Sequence, residues 1–258
     1  MSIRFETIGR VGLITIDRPK AKNAINPEMD EAFRALWPTI NGMKEVDAVI
    51  LTGAGEESFC AGGDLVTFLP ALRDRSLNET DDGDFCGMTR QSPTTKPLIA
   101  AINGYALAGG LELALACDIR IASTNASFGI PEVRWGVLAG AGGVTKLSRT
   151  IPQSLAMEKI ATGRTIDAQR ALQVGLVSSV VPQKSLMAAA IELAERIVAN
   201  SPVAVRASIQ VARQTVGMEL SGALATERMA LRRVLLSNDF LEGIAAFAEK
   251  RKPQFKGD

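Results

Sequence analysis

The 258-residue sequence contains no histidine. This absence excludes a Ser-His-Asp or Cys-His relay, an imidazole metal site and a histidine general base. Any acid–base chemistry near neutral pH must therefore fall to carboxylates, lysine, tyrosine or cysteine whose surroundings shift their pKa values. A carboxylate that the sequence places in apolar surroundings becomes the first candidate for a catalytic group.

Cysteine and net charge are also low. The three cysteines form no C-x-x-C pair, and their odd number favours free thiols and a cytoplasmic location. A net charge of +1 provides no basic field for a nucleic acid or an anionic membrane surface, so we predict neither partner. The first residues lack the uninterrupted apolar segment of a secretory signal. The composition, 47% hydrophobic and 22% charged, is that of a globular protein.

Uncharged apolar runs long enough to span a membrane are lacking as well. The nearest approach is the run 97–118, which reaches about twenty residues only by including Pro97, Asn103 and Glu112. Its first part, residues 97–102, ends at Asn103-Gly104 and predicts a buried strand and a turn. Its second part, residues 111–117, follows a Gly-Gly pair and predicts a helix.

Glu112 is the single charged residue of this run between Lys96 and Asp118. A carboxylate in apolar surroundings is costly to leave ionised without partners. On a helix it lies on the same side as Gly109, in a first turn whose backbone N–H groups are unpaired. A hydrogen-bond donor for a developing oxyanion would then lie beside a general acid or base. A partnered structural glutamate is the alternative.

The remaining pattern predicts a mixed α/β protein whose C-terminal third is helical. Residues 70–92 are polar and rich in turn formers, so we expect a surface excursion or lid there. Strands are predicted at 11–16, 47–52, 118–122 and 176–181, and helices after Asn26-Pro27, at 153–162, at 166–174 with Thr165 as its cap, at 185–200, from Pro202, at 220–237 and at 239–251.

Glycine-rich turns follow several of these strands. Ala-Gly-Gly occurs at 61–63 and at 108–110, which suggests two positions of close backbone approach, although each could be an ordinary turn. The loop 136–143 matches neither the phosphate-binding nor the dinucleotide-binding glycine pattern. Glu132 follows a proline in an apolar turn, and surface exposure is its default explanation.

A series of short motifs runs along the chain, namely Arg18-Pro19 with Asn23-Ala24, Phe59-Cys60-Ala61-Gly62-Gly63-Asp64-Leu65, Asn103-Gly104-Tyr105-Ala106, Gly109-Gly110-Leu111-Glu112-Leu113, Cys117-Asp118, Phe128-Gly129, Pro131-Glu132 and Gly140-Ala141-Gly142-Gly143. Taken together, these motifs resemble the enoyl-CoA hydratase/isomerase (crotonase) family over almost the whole chain. The resemblance implies a crotonase-like α/β fold, with a superhelical core of repeated ββα turns and a helical C-terminal oligomerisation region. Residues 1–199 would form the core with the acyl-CoA site, and residues 200–258 would build a homotrimer, or a hexamer of two trimers.

The family pattern implies an acyl-CoA thioester as substrate and an oxyanion hole formed by the N–H groups of Gly63 and Gly109. Members that look like true hydratases carry two glutamates around this hole, and this sequence has both, Glu112 and Glu132. Glu132 would deliver or remove the α-proton while Glu112 helps to orient and activate water. No metal or redox cofactor is implied, since CoA is part of the substrate.

The resemblance also implies a CoA site along the loop 18–24 and the turn after residue 60. Trp135 stands where an aliphatic residue is more usual and is expected to shorten or flatten the acyl pocket. Segment 139–147 departs from the sequence common in hydratases, so the acyl group is left open. The residues implied to bind CoA are Lys20, Ala21, Lys22, Ala24, Ala61, Asp64 and Leu65, with Lys250 and Lys252 contributed by a neighbouring subunit.

Alternatives remain within and outside this family. A Δ3,Δ2-enoyl-CoA isomerase needs only one base to shuttle a proton, and a carnitinyl-CoA-type dehydratase would run the same step in reverse. Dehalogenases and ring-forming members usually place other residue types at one of the two glutamate positions. A catalytically inactive scaffold, for example one that binds RNA, is disfavoured by the near-zero net charge and by the presence of both glutamates.

Overall fold

A computed structural model describes residues 3–78, 80 and 83–258 of the chain. Strands and helices mix throughout, and the predicted α/β class is confirmed. The strands of this part are Ile3–Ile8 (β1), Val11–Ile16 (β2), Ala48–Gly53 (β3), Ser58–Cys60 (β4), Leu98–Ile102 (β5), Tyr105–Leu107 (β6), Ile119–Ser123 (β7), Ser127–Gly129 (β8), Ile166–Asp167 (β9) and Ser179–Val181 (β10). Its α-helices are Pro27–Gly42 (α1), Phe68–Leu77 (α2), Gly109–Ala116 (α3), Gly143–Thr150 (α4), Gln153–Thr162 (α5), Ala168–Gln173 (α6), Leu186–Val198 (α7), Pro202–Thr215 (α8), Leu220–Leu235 (α9) and Asn238–Ala248 (α10).

Successive strands from β3 to β8 alternate between two sheets. β3, β5 and β7 lie parallel in a six-stranded sheet of order β1-β2-β3-β5-β7-β10. The strands that follow them, β4, β6 and β8, lie parallel in a four-stranded sheet of order β4-β6-β8-β9. Helices α2 and α3 follow β4 and β6. The ββα repeat predicted for the core is therefore confirmed.

The larger sheet is covered on both faces, which explains why β2 and β3 are buried along their whole length. Side chains alternate between the faces of a strand, so Ile14 and Leu51 join the main core while Leu13 and Ile50 point the other way. Helix α7 covers this second face with small side chains one turn apart, among them Ala190.

Helix α1 forms as its sequence predicts. The Asn26 side chain accepts a hydrogen bond from the N–H of Met29, and Pro27 occupies the first helical position. Every third or fourth residue then faces the core, including Phe33 and Trp37. The capping residue and the apolar stripe were both readable from the sequence, because they depend on local spacing alone.

Three turns meet at one edge of the smaller sheet. β4, β6 and β8 are parallel neighbours, so their carboxyl ends lie side by side. The segment after β4 carries Gly63, the turn and helix after β6 carry Gly109 and Glu112, and the 3₁₀ turn Pro131–Trp135 after β8 carries Glu132. The sheet therefore brings together four residues from three separate segments of the sequence.

Several element boundaries differ from prediction. The helix predicted at 166–174 begins at Ala168, because Ile166 and Asp167 pair with β8 and the Asp167 side chain caps the helix by accepting from the N–H of Arg170. The cap predicted at Thr165 is wrong. Helix α3 begins at Gly109, two residues earlier than predicted, and α4 was not predicted at all.

The predicted surface excursion at 70–92 is wrong in its second half. Phe85, Cys86, Met88 and Thr89 are buried, and they pack beside α1, where the indole N–H of Trp37 donates to the Cys86 carbonyl at 3.0 Å. Helix α2 occupies the first half. The part of the prediction that falls on residues 79, 81 and 82 lies outside the described residues.

Helices α8 to α10 follow the sheets, and two arginines join α8 to the strand ends. Arg206 pairs with Asp47 at 2.6 Å, and Arg213 binds both carboxylate oxygens of Asp118 at 2.6 and 2.7 Å.

The division at residues 199 and 200 into core and trimerisation region stays a prediction. In the part that the structure describes, no helix is long and apolar enough to cross a membrane. Large apolar side chains are exposed along and just beyond α9 and on α10, namely Leu220, Leu224, Met229, Leu231, Leu235, Leu236, Leu241, Ile244 and Phe247.

Candidate active site

A cavity of about 240 Å³ opens where the three turns meet. Gly63, Gly109, Glu112 and Glu132 all line it, so the two glycines and two glutamates singled out from the sequence share one site. Trp135 lies on its rim with 67% of its surface exposed. The wall is largely apolar and consists of Ala61, Leu65, Phe68, Leu69, Leu72, Phe85, Ala108, Pro131, Val137, Leu138, Gly140 and Ala141, joined by Arg75, Gly83 and Asp84.

The turns that carry the two glycines touch each other. A Cβ added to Gly62, at φ +100°, would lie 2.7 Å from the Ala108 Cβ and 2.9 Å from the Gly109 nitrogen, so no side chain fits there. Ala108 itself has φ +52° and ψ −130°, a backbone conformation that costs a non-glycine residue about 1–3 kcal/mol. It directly precedes Gly109, the first residue of α3. Strain of this kind is typical of positions where the surrounding structure fixes a functional backbone group.

The backbone N–H groups of Gly63 and Gly109 have no hydrogen-bond acceptor in the described part of the chain. Gly109 begins a helix, where N–H groups are unpaired by geometry and the helix dipole favours negative charge. Gly63 lies in a bridge to Ile25, but the bridge bonds are made by Gly62 and Asp64. Two donors at the cavity surface could therefore bind one oxygen atom that gains negative charge.

Two aromatic rings stand behind these glycines. A Cβ on Gly63 would approach Phe68 to 2.8 Å, and a Cβ on Gly109 would approach Phe85 to 2.7 Å. The two rings contact each other edge to face, with centroids 5.2 Å apart. Both rings also line the cavity. Phe68 and Phe85 thus pack so tightly against the backbone of the two glycines that a side chain at either position would collide with a ring.

Glu112 is held in the first turn of α3 with 4% of its surface exposed. Its Oε1 accepts a hydrogen bond from the N–H of Gly143 at 2.8 Å, and a Cβ at Gly143 would lie 2.8 Å from the same oxygen. Burial raises the pKa of Glu112, while hydrogen bonds from the N–H groups of Gly143 and Ala141 and the charge of Lys146 oppose the rise. Glu112 is therefore partnered on one side and open to the cavity.

Glu132 is less well satisfied. Its Oε2 is buried and has no hydrogen-bond partner among the described residues. The pKa of this carboxyl is raised to about 7, mainly by burial and also by the nearby charge of Glu112, while a hydrogen bond from its own backbone N–H opposes the rise. The surface explanation suggested by the sequence is wrong. An unpartnered carboxyl oxygen in a cavity, with its pKa near neutrality, fits a proton donor or acceptor for a bound ligand.

The loop implied to bind CoA runs beside the cavity. The N–H of Ala61 donates to the Lys22 carbonyl at 3.1 Å, and the N–H of Ile25 donates to the Gly62 carbonyl at 2.8 Å. Ala61 and Leu65 line the cavity, whereas Lys20, Ala21, Lys22 and Ala24 do not. Lys250 and Lys252 follow α10 and do not line it either.

The Asp64 side chain is already engaged by the protein. Arg18 binds its Oδ2 at 2.6 Å, while the N–H groups of Val66 and Thr67 donate to its Oδ1 at 3.0 and 3.1 Å. The hydrogen bond from Arg18 lowers the pKa of Asp64, and the two N–H groups add to this effect. This carboxylate therefore ties the loop 18–24 to the turn after β4.

Sequence reasoning missed several cavity residues. Phe85 and Asp84 lay in the segment interpreted as a surface excursion, and α2 presents Phe68, Leu72 and Arg75 to the cavity. The signal that could have found this face is the spacing of Phe68, Leu69 and Leu72, which places apolar residues on one side of a helix. No cluster of potential metal ligands occurs among the described residues.

Comparisons with known proteins agree with this geometry. The family model for enoyl-CoA hydratase/isomerase matches residues 6–258. The (E)-benzylidenesuccinyl-CoA hydratase of Thauera aromatica is 39% identical over 100% of both chains, and the short-chain-enoyl-CoA hydratase of Clostridium acetobutylicum is 41% identical over 97% of this chain and 96% of its own. The crystal structure of an enoyl-CoA hydratase from Mycobacterium tuberculosis superposes with a TM-score of 0.90 at 40% identity, covering 100% of this chain and 99% of that one.

The chain belongs to the enoyl-CoA hydratase/isomerase family. The family and the enzyme class predicted from the sequence are confirmed by these matches, and so is the crotonase-like fold.

Proposed function

We propose that this enzyme adds water across the double bond of a 2-enoyl-CoA thioester, using Glu112 and Glu132 as its proton-transfer pair. The observation that carries the proposal is the pairing of a carboxyl whose buried Oε2 has no partner with a second carboxyl held at 2.8 Å by a backbone N–H. Both face the cavity that contains two unpaired backbone donors. This arrangement provides separate groups for the thioester oxygen, the water and the α-carbon.

The thioester oxygen would accept hydrogen bonds from the N–H groups of Gly63 and Gly109. Glu112, ionised, would take a proton from water as the water oxygen bonds to the β-carbon. The electron pair of the double bond then moves to form an enolate, whose negative oxygen the two N–H groups stabilise. One such donor contributes about 3–4 kcal/mol to transition-state stabilisation. Glu132, protonated, would give its proton to the α-carbon and complete the addition.

The electrostatics of the pair support this division of roles. A pKa of about 7 leaves a large share of Glu132 protonated at neutral pH, as a proton donor requires. Glu112 receives N–H hydrogen bonds and the field of Lys146, all of which favour its charged form against the effect of burial. Because the two carboxyls interact, one proton belongs to the pair as a whole. The mechanism transfers protons only between carboxyls, water and carbon, so we propose that it needs no metal or redox cofactor.

CoA would follow the loop 18–24 next to the turn after β4 and would contact Lys20 and Lys22. We propose further that the exposed apolar surface of α9 and α10 builds the predicted homotrimer or hexamer, which would bring Lys250 and Lys252 toward a neighbouring site. The three buried free thiols fit a reducing, cytoplasmic location.

Two related reactions use the same site. A carnitinyl-CoA-type dehydratase would run the proposed steps backwards, from a 3-hydroxyacyl thioester. A Δ3,Δ2-enoyl-CoA isomerase would use Glu132 alone as a shuttle and would not need the second carboxyl. The presence of Glu112 beside the cavity, with its Oε1 fixed, favours a reaction in which water is bound.

The test is the loss of absorbance of the conjugated enoyl thioester when the protein is mixed with crotonyl-CoA. The same absorbance is then followed with 3-enoyl and 3-hydroxyacyl esters, where isomerisation or dehydration would make it rise. Glu112→Gln and Glu132→Gln should each lower kcat for hydration by about 10²–10⁴-fold while leaving the binding of butyryl-CoA nearly intact. Glu158→Gln, on an exposed glutamate of α5 that pairs with Lys159, is the matched control. Unimpaired turnover in either active-site variant would remove that glutamate from the mechanism.

A further inference from the structure

One cavity residue takes no part in the proposed chemistry. Arg75 lies in the last turn of α2 and lines the same cavity as the two glutamates. On this helix Phe68, Leu69, Leu72 and Arg75 recur at helical spacing and share one face, whereas Arg73 is exposed. The face is apolar apart from the arginine. Arg75 therefore occupies a position of α2 where the helical spacing predicts another apolar residue.

The guanidinium of Arg75 is held in place but poorly satisfied. Its carbon lies 5.4 Å from the centre of the Phe68 ring, an arrangement that orients the planar group. Its Nε is buried and has no hydrogen-bond partner among the described residues. An arginine with an unpaired buried N–H is costly unless a ligand accepts from it.

Asp30, the acidic residue that pairs with Arg75 in the described part of the chain, does not satisfy it. The Nη1 lies 3.7 Å from the Oδ2 of Asp30, beyond hydrogen-bond distance. That same oxygen already accepts from Arg34 at 3.0 Å, and the other oxygen of Asp30 accepts from the N–H of Cys86 at 2.7 Å. Among the described residues, the Nε of Arg75 therefore has no acceptor, and its Nη1 makes no hydrogen bond to Asp30.

Asp84, which also lines the cavity, is likewise engaged elsewhere. Its Oδ1 accepts from the N–H groups of Thr89 and Arg90 at 2.7 and 3.1 Å. Asp30 and Asp84 are therefore directed to other groups, and in the described part of the chain no carboxylate lies within hydrogen-bond distance of the Arg75 guanidinium, which is available to a ligand that enters from the cavity.

The ligand that matches a guanidinium fork is a carboxylate, which can accept two parallel N–H hydrogen bonds. The phosphates of CoA are separated from the thioester by its long uncharged arm, and none of Lys20, Lys22 or Ala24 lines the cavity. An anion that reaches Arg75 inside the cavity must therefore come from the acyl group. The apolar walls around it, including Phe85 and Leu72, suit the carbon chain between that anion and the thioester.

We propose that Arg75 is a specificity residue, and that the enzyme prefers 2-enoyl-CoA esters whose acyl chain carries a carboxylate at its far end. This inference rests on the proposed hydration at Glu112 and Glu132. It adds the substrate class, an enedioyl thioester, and it assigns the recognition of the distal carboxylate to the Arg75 guanidinium.

The experiment compares matched substrates. The ratio of kcat/KM for 2,3-dehydroadipyl-CoA to that for hex-2-enoyl-CoA is measured, and the comparison is repeated with longer enedioyl esters, each beside the methyl-ended ester of equal length. The amide-ended analogue separates charge from hydrogen bonding. In the wild type, at least one enedioyl ester should be hydrated faster than its methyl-ended partner. In Arg75→Gln the ratio should fall by roughly 10- to 100-fold, the loss expected for a charge-assisted hydrogen bond.

The controls separate the possible failures. Arg73→Gln, on the exposed side of the same helix, should leave the ratio unchanged, and Arg75→Lys should retain part of it. Binding of adipyl-CoA and hexanoyl-CoA, measured by calorimetry, gives a second reading that does not depend on turnover. If Arg75→Gln weakens both esters equally, or if every methyl-ended ester is preferred by the wild type, the inference is wrong while hydration stands. If neither series is hydrated but adipyl-CoA still binds through Arg75, the proposed reaction fails and the carboxylate site stands.

Discussion

The pH dependence of turnover tests the coupled glutamates most directly. In the proposed mechanism, hydration requires the pair to hold one proton, with Glu112 ionised and Glu132 protonated, and dehydration requires the same single proton on the other carboxyl. Addition of water neither releases nor takes up a proton overall, so the ratio of kcat/KM in the two directions is a pH-independent equilibrium constant. Both directions should therefore give the same bell-shaped profile of kcat/KM.

The magnitude follows from the surroundings of the pair. The alkaline limb reports loss of the shared proton and should be half-maximal near the Glu132 pKa of about 7. At pH 8 about one-eleventh of the enzyme would keep the proton, and kcat/KM should fall roughly tenfold with each further pH unit. The acid limb reports a second proton on the pair. It should lie above pH 4.5, because burial raises the pKa of Glu112 above its ordinary value.

The assay follows thioester absorbance from about pH 5 to pH 9 at constant ionic strength, with crotonyl-CoA in one direction and 3-hydroxybutyryl-CoA in the other. A profile that stays flat above neutrality would refute the assignment of the donated proton to Glu132. Carboxyl carbon NMR of Glu112→Gln provides an independent check. The pKa of Glu132 should fall in this variant because the neighbouring charge is lost, yet stay above 4.5 because burial, the larger cause, remains.

Three further predictions follow from the packing around the site. Glu132→Gln should raise the free energy of unfolding by on the order of 1–2 kcal/mol at pH 8 but not near pH 4. The reason is that the wild-type fold loses stability as the pH rises through the raised pKa of Glu132. Equal gains in the free energy of unfolding at both pH values would contradict this. Gly109→Ala places a Cβ 2.7 Å from Phe85 and should lower kcat on crotonyl-CoA by about 10- to 100-fold. Gly42→Ala, whose Cβ meets nothing within 4 Å, is the control and should leave kcat unchanged. Equal kcat values in the two variants would refute the oxyanion role of Gly109. Phe247→Glu, at a side chain 88% exposed, should convert the proposed trimer to monomers in sedimentation velocity, and an unchanged mass would exclude this surface as the interface.

The helices and strands that were predicted correctly are those determined by neighbouring residues in the sequence. The Asn26 cap of α1 and the strand and helix around Glu112 needed only periodicity and capping residues. Helix α4 was missed because a glycine-rich run suggests a loop. Position 143, where that helix begins, has no room for a side chain because a Cβ there would lie 2.8 Å from the Glu112 carboxylate. This requirement for glycine is set by a residue distant in sequence.

The candidate site was predictable in part for the same reason. Glu112 stood out because it interrupts an apolar run, but Glu132 looked like an ordinary surface residue, and only the family resemblance singled it out. Its burial arises from the turns after β6 and β8 meeting at one sheet edge, which no sequence window contains. Arg75 gave no signal, because an arginine near the end of a polar helix is usually solvated. Its unpaired Nε becomes visible only when the cavity is assembled.

The edge-to-face contact of Phe68 and Phe85 has a consequence for how substrate range and rate can vary. Each ring packs against one of the two glycines of the proposed oxyanion hole and also lines the cavity. If the proposed mechanism holds, replacing either ring to admit a bulkier acyl chain would also loosen the backbone geometry that stabilises the enolate. Trp135 and Leu138 also line the cavity, but they are largely exposed, and neither side chain is among the nearest neighbours of Gly63 or Gly109. Substitutions at these two positions are therefore expected to change which substrates enter while leaving the backbone of the two glycines undisturbed.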